Sequence, residues 1–377
     1  MVVVEVAFWA SLGLLAYTHV GYPLLLAALS AVRARRPRGA GEAAELPSVT
    51  LTVSAHDEED SIAGWVANAL ALDYPRDSLR IVVACDGCTD ATAARAREAG
   101  ADEVLELPRG GKIAALNSVA AASDAEVLAF ADANSRWDPD ALRRLVAPLA
   151  DAGVGYVCGD VSFTAPDGSP NQEGLYWRYE MAVRRMESEL AGITAGNGAI
   201  NAVRASAYVA LESGRGQDIS FPFELAKRGL RAVYEPEARA SEPMAPTIEG
   251  EFRRKRRMMA GAWNTILNTR LLSPRGYNPL YALEIYSHRL LRYATPLLHL
   301  VALATNIALV GEGTVYAITL IAQGTFAAAA LLGGIIPFGP LLIARYYAAV
   351  TAASAFGLWD LLRHGVPHTW ESVEGTR

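Results

Sequence analysis

The sequence predicts an α/β domain inserted between membrane-spanning helices, and three observations support this fold class. Residues 6–32 contain no Asp, Glu, Lys or Arg, although 20% of the 377 residues are charged. The C-terminal third contains three more apolar runs, at about 295–311, 314–334 and 340–362. Between these regions, residues 48 to about 245 alternate short apolar runs with helix-like stretches. Such alternation is typical of a mostly parallel sheet with helices on both faces.

The first apolar segment, within residues 1–35, is predicted to be a transmembrane helix because it is long enough to span a bilayer. A cleaved signal peptide is the alternative, but its positive charge would precede a shorter apolar core. Here Glu5 precedes the segment, and arginines follow it at positions 33, 35, 36 and 38. Basic residues stay in the cytoplasm, so we expect an external N-terminus and a cytoplasmic central domain.

The rest of the chain divides by composition. We expect a soluble domain at 45–245, amphipathic interfacial helices at 246–294, transmembrane helices at 295–363 and a tail at 364–377. With an external N-terminus, three C-terminal spans would place the tail outside the cell. The alternative is that one apolar run is re-entrant or interfacial, which leaves the tail in the cytoplasm.

Charge and cysteine content argue against several kinds of function. A formal net charge of −6 is unsuited to nucleic acid as the main partner, since phosphate binding needs a basic surface. Cys85 and Cys88 form a C-x-x-C pattern, but no second C-x-x-C or C-x-x-H supplies the remaining ligands of a zinc site. A disulfide framework is also unexpected in a cytoplasmic domain. We therefore assign these sulfurs no redox or metal role.

Acidic residues follow several predicted strands. Asp57 and Glu58 come after the first strand, Asp86 ends the second, and Asp132 follows the fourth. Ligands of such sheets bind at the carboxyl ends of the strands, so we expect these acids to converge. Clustered carboxylates repel one another unless a cation or hydrogen-bond donors lie between them. A helix N-cap is the alternative for any one of them, and we interpret Asp90 in that way.

Residues 110–112, Gly-Gly-Lys, add a complementary feature. Glycines before a helix leave backbone N–H groups free, and Lys112 adds a positive charge beside them. This combination suits a diphosphate.

Eight motifs in order, over about residues 45–295, resemble the family 2 glycosyltransferases, in particular their membrane-integrated branch of polysaccharide-synthase-like and ceramide-glucosyltransferase-like enzymes. The motifs are VSAHDEE, CDGCTD, GGKIAALN, FADANS, GLYWRYEMAVRRMES, AGNGAINAVR, GQDISFPFELAKRG and RRKRRMMAG. The resemblance implies a GT-A (Rossmann-like) mixed sheet. It also implies inverting transfer of a sugar from a nucleotide diphosphate donor, for which we favour a UDP-sugar.

The resemblance also implies roles for individual residues. Asp218 corresponds to the catalytic base and Arg257 to a catalytic cation that stabilises the leaving diphosphate. Asp132 and Asn134 occupy the D-x-D positions and are expected to bind Mg²⁺ or Mn²⁺. We assign donor binding to Ala55, Asp57, Glu58, Asp86, Lys112, Asp132 and Arg254.

Several positions depart from the family pattern. Asn134 replaces an acid, which leaves the metal less charge compensation. Gln217 stands where an acid often precedes the base, and Glu224 is the alternative base. In the Q-x-x-R-W motif of processive enzymes, Arg254 replaces Gln and Met258 replaces Trp. A thioether is a less specific surface for a sugar than an aromatic ring, which favours one or a few transfers to a lipid-linked acceptor.

We therefore expect a multi-pass enzyme of the cell membrane that glycosylates a hydroxyl of a lipid-linked or saccharide acceptor, alone or as a homo-oligomer. A processive synthase resembling those of cellulose, hyaluronan or poly-N-acetylglucosamine is the first alternative. The second is a catalytically silent membrane partner, against which the retention of Asp86, Lys112, Asp132 and Asp218 argues.

Overall fold

The computed structural model describes residues 1–33, 46–164, 174–243 and 248–365. Within these ranges, one eight-stranded mixed sheet has the order β3-β2-β1-β4-β7-β6-β8-β5. The strands are β1 (Val49–Ala55), β2 (Leu79–Asp86), β3 (Glu103–Leu107), β4 (Val127–Ala131), β5 (Arg136–Trp137), β6 (Val154–Thr164), β7 (Ile200–Arg204) and β8 (Arg231–Pro243).

Helices cover both faces of the sheet and continue into the apolar ends of the chain. Those of the α/β domain are α3 (Ile62–Leu70), α4 (Thr92–Glu98), α5 (Lys112–Ala122), α6 (Ala141–Val146), α7 (Gly174–Leu190) and α8 (Gln217–Lys227). The flanking helices are α1 (Val2–Ala16), α2 (Tyr22–Arg33), α9 (Ile248–Asn268), α10 (Pro279–Glu284), α11 (Leu291–Tyr293), α12 (Thr295–Leu309), α13 (Thr314–Leu332) and α14 (Gly339–His364). Short π-helical segments occupy Tyr17–Gly21 and Ile285–Leu290, and short 3₁₀ turns occupy Arg76–Ser78, Ala147–Ala150 and Ala205–Ala207.

The first half of the sheet is parallel, as the sequence predicts. β1 pairs in parallel with β2 and β4, and every residue of β1 and β4 is buried. Continuous apolar runs of this kind are expected where helices cover both faces of a strand. The register places Ala55 opposite Cys85, and Val53 opposite Ala131. The carboxyl ends of the three strands therefore meet at one edge.

The second half of the sheet reverses direction. β7 is antiparallel to β4 and to β6, whereas β8 is parallel to β6 and antiparallel to β5. Ile200 at the start of β7 lies opposite Ala131 at the end of β4. The loop before β7 consequently approaches the same edge where the parallel strands end. This mixed topology agrees with the predicted fold class.

An apolar cluster joins the α/β domain to the helices that follow it in the chain. Ile219 and Phe223 of α8 pack with Trp263 of α9, with Ile285 of the second π-helical segment and with Leu361 of α14. All five side chains are buried. The helix that carries Asp218 thus shares a core with the helices that follow the α/β domain.

Three helical stretches in the described residues are long and apolar enough to cross a membrane: Val2–Val32, Thr314–Leu332 and Gly339–His364. The 15-residue α12 is apolar but shorter. It runs antiparallel to α1, because Leu309 at its end packs with Phe8, whereas His299 near its start and His19 just after α1 both contact the Tyr347 hydroxyl. Tyr316 of α13 belongs to the same cluster and donates a 2.8 Å hydrogen bond to Glu5. The start of α1, the end of α12 and the start of α13 therefore lie together.

The helix α14 packs along α9. The Arg256 guanidinium donates two hydrogen bonds of 2.6 Å to the Asp360 carboxylate, and the Trp263 indole donates to the Ser354 carbonyl at 3.1 Å. The bidentate pairing of Arg256 with Asp360 fixes the orientation of the two side chains as well as the distance between them.

Candidate active site

Two loops at the carboxyl edge of the sheet are tied together by the first group of predicted residues. Asp57 has a positive φ of 50° and accepts a hydrogen bond from the Thr89 amide at 2.7 Å, which lowers the pKa of Asp57. The amide of the buried Glu58 donates to the Thr92 hydroxyl at 2.8 Å. The Ala55 carbonyl accepts from the Cys88 thiol at 3.4 Å.

Asp90 accepts from the Thr92 amide at 2.9 Å, but the N-cap of α4 is Ala91, so Asp90 lies one residue before the cap position that the sequence predicts for it. One ligand atom each of Asp57, Cys88 and Asp90 lies within 4.8 Å of the others. The hydrogen bonds of Asp57 and Asp90 account for this acidic cluster, and it joins the two loops at the edge.

Asp86 lies at the end of β2 and is only 2% exposed. Its carboxylate accepts from the backbone amides of Gly110 and Gly111 at 2.6 and 3.0 Å, and from the Arg109 guanidinium at 2.9 Å. Gly111 has φ of +86°, a left-handed conformation that favours glycine. Asp86 thus holds the loop that begins α5 and places Lys112, in addition to the nucleotide contact that the sequence predicts.

We expect Asp86→Ala to weaken nucleotide binding and to loosen this loop, because it leaves the two amides and Arg109 without their acceptor. An unsatisfied buried partner costs about 1–3 kcal/mol. Nucleotide affinity by calorimetry and the midpoint of thermal unfolding measure the two effects. Asp102→Ala is the matched control, since Asp102 accepts from the Ile81 amide at 2.7 Å, near the amino end of the same strand. An Asp86→Ala protein with unchanged nucleotide affinity would contradict the assignment.

Lys112 and Asp132 form an ion pair at the centre of the edge. Both side chains are partly accessible. Gly198, in the loop before β7, lies directly against them: a Cβ at this position would be 2.9 Å from Asp132 Oδ2 and 3.1 Å from Lys112 Nζ. The absence of a side chain at Gly198 therefore lets this loop approach the acid and the cation together.

Sequence reasoning missed Glu242, which the structure adds to this group. The pairing of β5 with β8 sets Arg136 opposite Ser241, so Glu242 lies beside the turn that follows Asp132. Burial and the neighbouring Asp132 raise the pKa of Glu242 to about 7. Two carboxylates in one partly buried place require compensating positive charge, which Lys112 and Arg254 supply in part.

The donor set at this place suits a divalent cation. Asp132 and Glu242 offer carboxylate oxygens, and Asn134 lies in the turn between β4 and β5. Oxygen ligands of this kind are those that Mg²⁺ and Mn²⁺ prefer. A bound cation would compete with Lys112 for the Asp132 carboxylate.

Asp218 lies in the first turn of α8 and is partly buried. Burial raises the pKa of Asp218, and the backbone amide of Ile219 and the charges of Lys112 and Arg289 oppose that rise. The Asp218 carbonyl accepts from the Gly196 amide at 2.7 Å. This bond ties the helix that carries the acid to the loop that covers Asp132. In its ionised form, a carboxylate with a raised pKa is a stronger proton acceptor than an ordinary one.

The alternative base, Glu224, is engaged elsewhere. Its carboxylate accepts from the Arg215 guanidinium at 2.9 Å. Gln217, which immediately precedes Asp218 where relatives often have an acid, is 4% exposed and also belongs to α8.

Arg254 and Arg257 lie about one turn apart on α9. Burial and the adjacent Arg254 lower the pKa of Arg257. The Arg254 guanidinium lies 5.7 Å from the centre of the Phe163 ring, and its charge acts on Glu242. Met258 is 51% exposed. Two neighbouring guanidinium groups favour an anion near them, as a diphosphate would provide.

The mixed α/β sheet with helices on both faces defines the chain as a protein with a GT-A fold. Residues 47–261 match the family described as "Glycosyltransferase like family 2", and the chain belongs to that family.

Three similar proteins illustrate the comparison. Glycosyltransferase AglE of Haloferax volcanii is 27% identical over 133 residues, which cover 34% of this chain and 44% of that protein. Beta-monoglucosyldiacylglycerol synthase of Nostoc is 33% identical over 158 residues, which cover 40% of this chain and 33% of that protein. The aligned part thus spans less than half of either relative.

The third similar protein is the mannosyltransferase PcManGT of Pyrobaculum calidifontis, solved in complex with GDP-Man and Mn²⁺. It matches with a TM-score of 0.73 and 23% identity, over 95% of this chain and 99% of that one. At this identity the likeness concerns the fold.

Proposed function

We propose that the chain is a membrane-bound, inverting glycosyltransferase that moves a sugar from a UDP-sugar to a hydroxyl of a lipid-linked acceptor. The observation that carries the proposal is the position of Asp218. Asp218 lies at the start of α8, where the charge of Lys112 acts on its carboxylate. Its carbonyl is hydrogen-bonded to Gly196 in the loop before β7, and Gly198 of the same loop lies against Asp132. A proton acceptor thus adjoins a site of acids and cations suited to a nucleotide diphosphate and a metal.

The chemistry follows from these positions. The acceptor hydroxyl attacks C1 of the donor sugar from the face opposite the diphosphate, and Asp218 takes the hydroxyl proton as the new C–O bond forms. The bond from C1 to the diphosphate breaks, and its electron pair leaves with the nucleoside diphosphate. Lys112 and Arg257 offset the charge that develops on the leaving group. Mg²⁺ or Mn²⁺, held by Asp132, Asn134 and Glu242, supplies further charge when bound.

Two features support a lipid-linked acceptor. The long apolar helices adjoin the catalytic domain, and Met258 presents no aromatic surface to a growing sugar chain. Relatives over part of the chain include synthases of glucosyldiacylglycerol. A processive synthase is the second candidate, favoured by the resemblance of the eight motifs to polysaccharide synthases.

We infer that the catalytic domain faces the cytoplasm. The shared end formed by α1, α12 and α13 is then external, and α13 returns to the cytoplasmic side. The pairing of Arg256 with Asp360 keeps the end of α14 beside α9. We therefore place α14 along the cytoplasmic face, which makes it the interfacial run and leaves the C-terminal tail inside.

Cysteine labelling of intact cells tests this topology. We expect Glu312→Cys, between α12 and α13, to react with a membrane-impermeant maleimide in intact cells. Arg363→Cys should react only after lysis, and the unsubstituted chain, whose cysteines are Cys85, Cys88 and Cys158, serves as the control. Labelling of Arg363→Cys in intact cells would show that α14 crosses the membrane.

Purified full-length protein in lipid nanodiscs, supplied with Mn²⁺ and a panel of UDP- and GDP-sugars, tests the function. We expect release of UDP from one donor and a labelled product in the lipid extract. NMR should show that the anomeric configuration of the transferred sugar is inverted relative to the donor. A ladder or high-mass polymer would identify a processive synthase. Nucleotide binding without release or transfer, with any donor or acceptor lipid, would favour the silent partner.

A further inference from the structure

A chain of buried polar contacts connects the first membrane segment to the α/β domain. The Tyr22 hydroxyl, on α2, donates to Glu187 Oε1 at 2.6 Å. His288 Nδ1, on the second π-helical segment, lies 2.7 Å from the same oxygen. Tyr22 is 1% exposed, Glu187 0% and His288 2%. Three elements far apart in sequence thus meet on one carboxylate oxygen.

The second oxygen of Glu187 holds the loop before β7. Thr194 donates to Glu187 Oε2 from its hydroxyl at 3.0 Å and from its amide at 3.3 Å. The Thr194 hydroxyl in turn accepts from Arg289 Nε at 2.8 Å. Two residues further along the loop, the Gly196 amide donates to the Asp218 carbonyl at 2.7 Å. The contacts thus run from the membrane segment to the helix that carries the proposed base.

The charge on Glu187 is held by its neighbours. Burial alone would raise the pKa of Glu187, but His288 and Arg289 keep it below its ordinary value. Buried ionic networks contribute little to stability in comparison with apolar packing, and their best-supported use is to select one arrangement. The network is therefore better suited to fixing the position of a loop than to raising the free energy of unfolding.

We propose that Glu187, oriented by Tyr22, is a positioning residue that fixes the loop before β7 and Asp218 relative to the donor site. The first membrane segment is then a working part of the catalytic apparatus and more than an anchor. This inference rests on the proposed glycosyl transfer. Misplacement of a reacting group by about 1 Å can lower the rate by about 10²-fold.

Tyr22→Phe tests the inference because it removes one hydroxyl and no other atom. Tyr17→Phe is the matched control: the Tyr17 hydroxyl lies 2.8 Å from that of Ser287, on the same π-helical segment, and does not contact Glu187. We expect Tyr22→Phe to lower kcat by about tenfold or more, with the donor KM and the affinity for UDP unchanged. Tyr17→Phe should keep kcat within about twofold.

The pH profile gives a readout that a purely structural role would not change. The positive charge of Arg289 lowers the pKa of Asp218, so displacement of Arg289 raises it and moves the acid limb of kcat to higher pH. Four other titratable groups interact electrostatically with the Asp218 carboxylate: Lys112, Tyr156, Cys158 and Tyr293. All four are unaltered in both variants.

Amide hydrogen exchange of residues 191–198 separates this inference from the proposed function. Faster exchange in Tyr22→Phe than in Tyr17→Phe supports the positioning role even if no sugar donor is accepted. Equal exchange, or equal kcat in the two variants, overturns it. If Tyr22→Phe does not fold, Glu187→Gln replaces it in both measurements, because the amide retains a hydrogen-bond acceptor but loses the charge that holds Arg289.

Discussion

Asp218→Asn is expected to lower glycosyl transfer by about 10²–10⁴-fold while the affinity for the nucleotide stays nearly unchanged. The amide keeps the size and much of the hydrogen bonding of the carboxylate but cannot take the proton of the acceptor hydroxyl. Initial rates with labelled donor measure transfer, and calorimetry with UDP measures binding. Because burial raises the pKa of Asp218, the acid limb of kcat should lie above the pH at which an ordinary Asp titrates.

Glu224→Gln is the control for this variant, since Glu224 lies six positions further along α8 and is engaged by Arg215. We expect it to keep most of its activity. Equal loss of UDP affinity and transfer in Asp218→Asn would remove Asp218 from the role of base. Loss of transfer in Glu224→Gln alone would assign that role to Glu224.

Chelation of divalent cations and Asp132→Ala are both expected to abolish transfer, because Asp132 is the proposed charged ligand of the cation. Restoration by Mn²⁺ or Mg²⁺ after chelation is expected only with Asp132 present. Paramagnetic resonance of Mn²⁺ measures binding apart from turnover. Asp138→Ala, at an exposed acid after β5, is the control. Full turnover in chelator would show that Lys112 and the arginines stabilise the leaving group without a metal.

Two further substitutions sharpen the metal prediction. Lys112→Met should increase the affinity for Mn²⁺ in the absence of donor, because Lys112 pairs with Asp132, yet it should slow transfer. Glu242→Gln should weaken Mn²⁺ binding by about tenfold, on the order seen when a group that supports a metal site is removed. Unchanged binding in Glu242→Gln would exclude Glu242 from the site.

The parallel half of the sheet could be predicted from sequence because its signals are local. Apolar runs are followed or ended by Asp57, Asp86 and Asp132. The convergence of these acids can be predicted from the rule that the carboxyl ends of parallel strands lie at one edge of the sheet. Glu242 could not be found in this way. Its place depends on β8 pairing with both β5 and β6, and no local pattern encodes such long-range pairing. Glu187 belongs to the same class, since the partners of its carboxylate lie on three separate elements: α2, the loop before β7 and the second π-helical segment.

Asp86 shows a second limit of prediction from sequence, which concerns the partners of a residue and not its identity. The motif identifies the residue, but the amides of Gly110 and Gly111 become its partners only after β2 and α5 are packed. The resemblance assigned one role to Asp86, and the loop geometry adds a second. The proposed metal site shows the same limit, because Asp132 and Asn134 were predicted from the sequence, whereas Glu242 was found only from the fold.

The shared core of α8 with α9 and α14 has a consequence for biosynthesis. Ile219 and Phe223 pack in one cluster with Leu361, which the ribosome adds long after the α/β domain has emerged. Domains usually fold as units during synthesis, N-terminal parts first. Here the helix bearing Asp218 reaches its final packing only after the downstream helices have been synthesised and have packed against it. The nascent chain should therefore remain inactive until its C-terminal helices are in place.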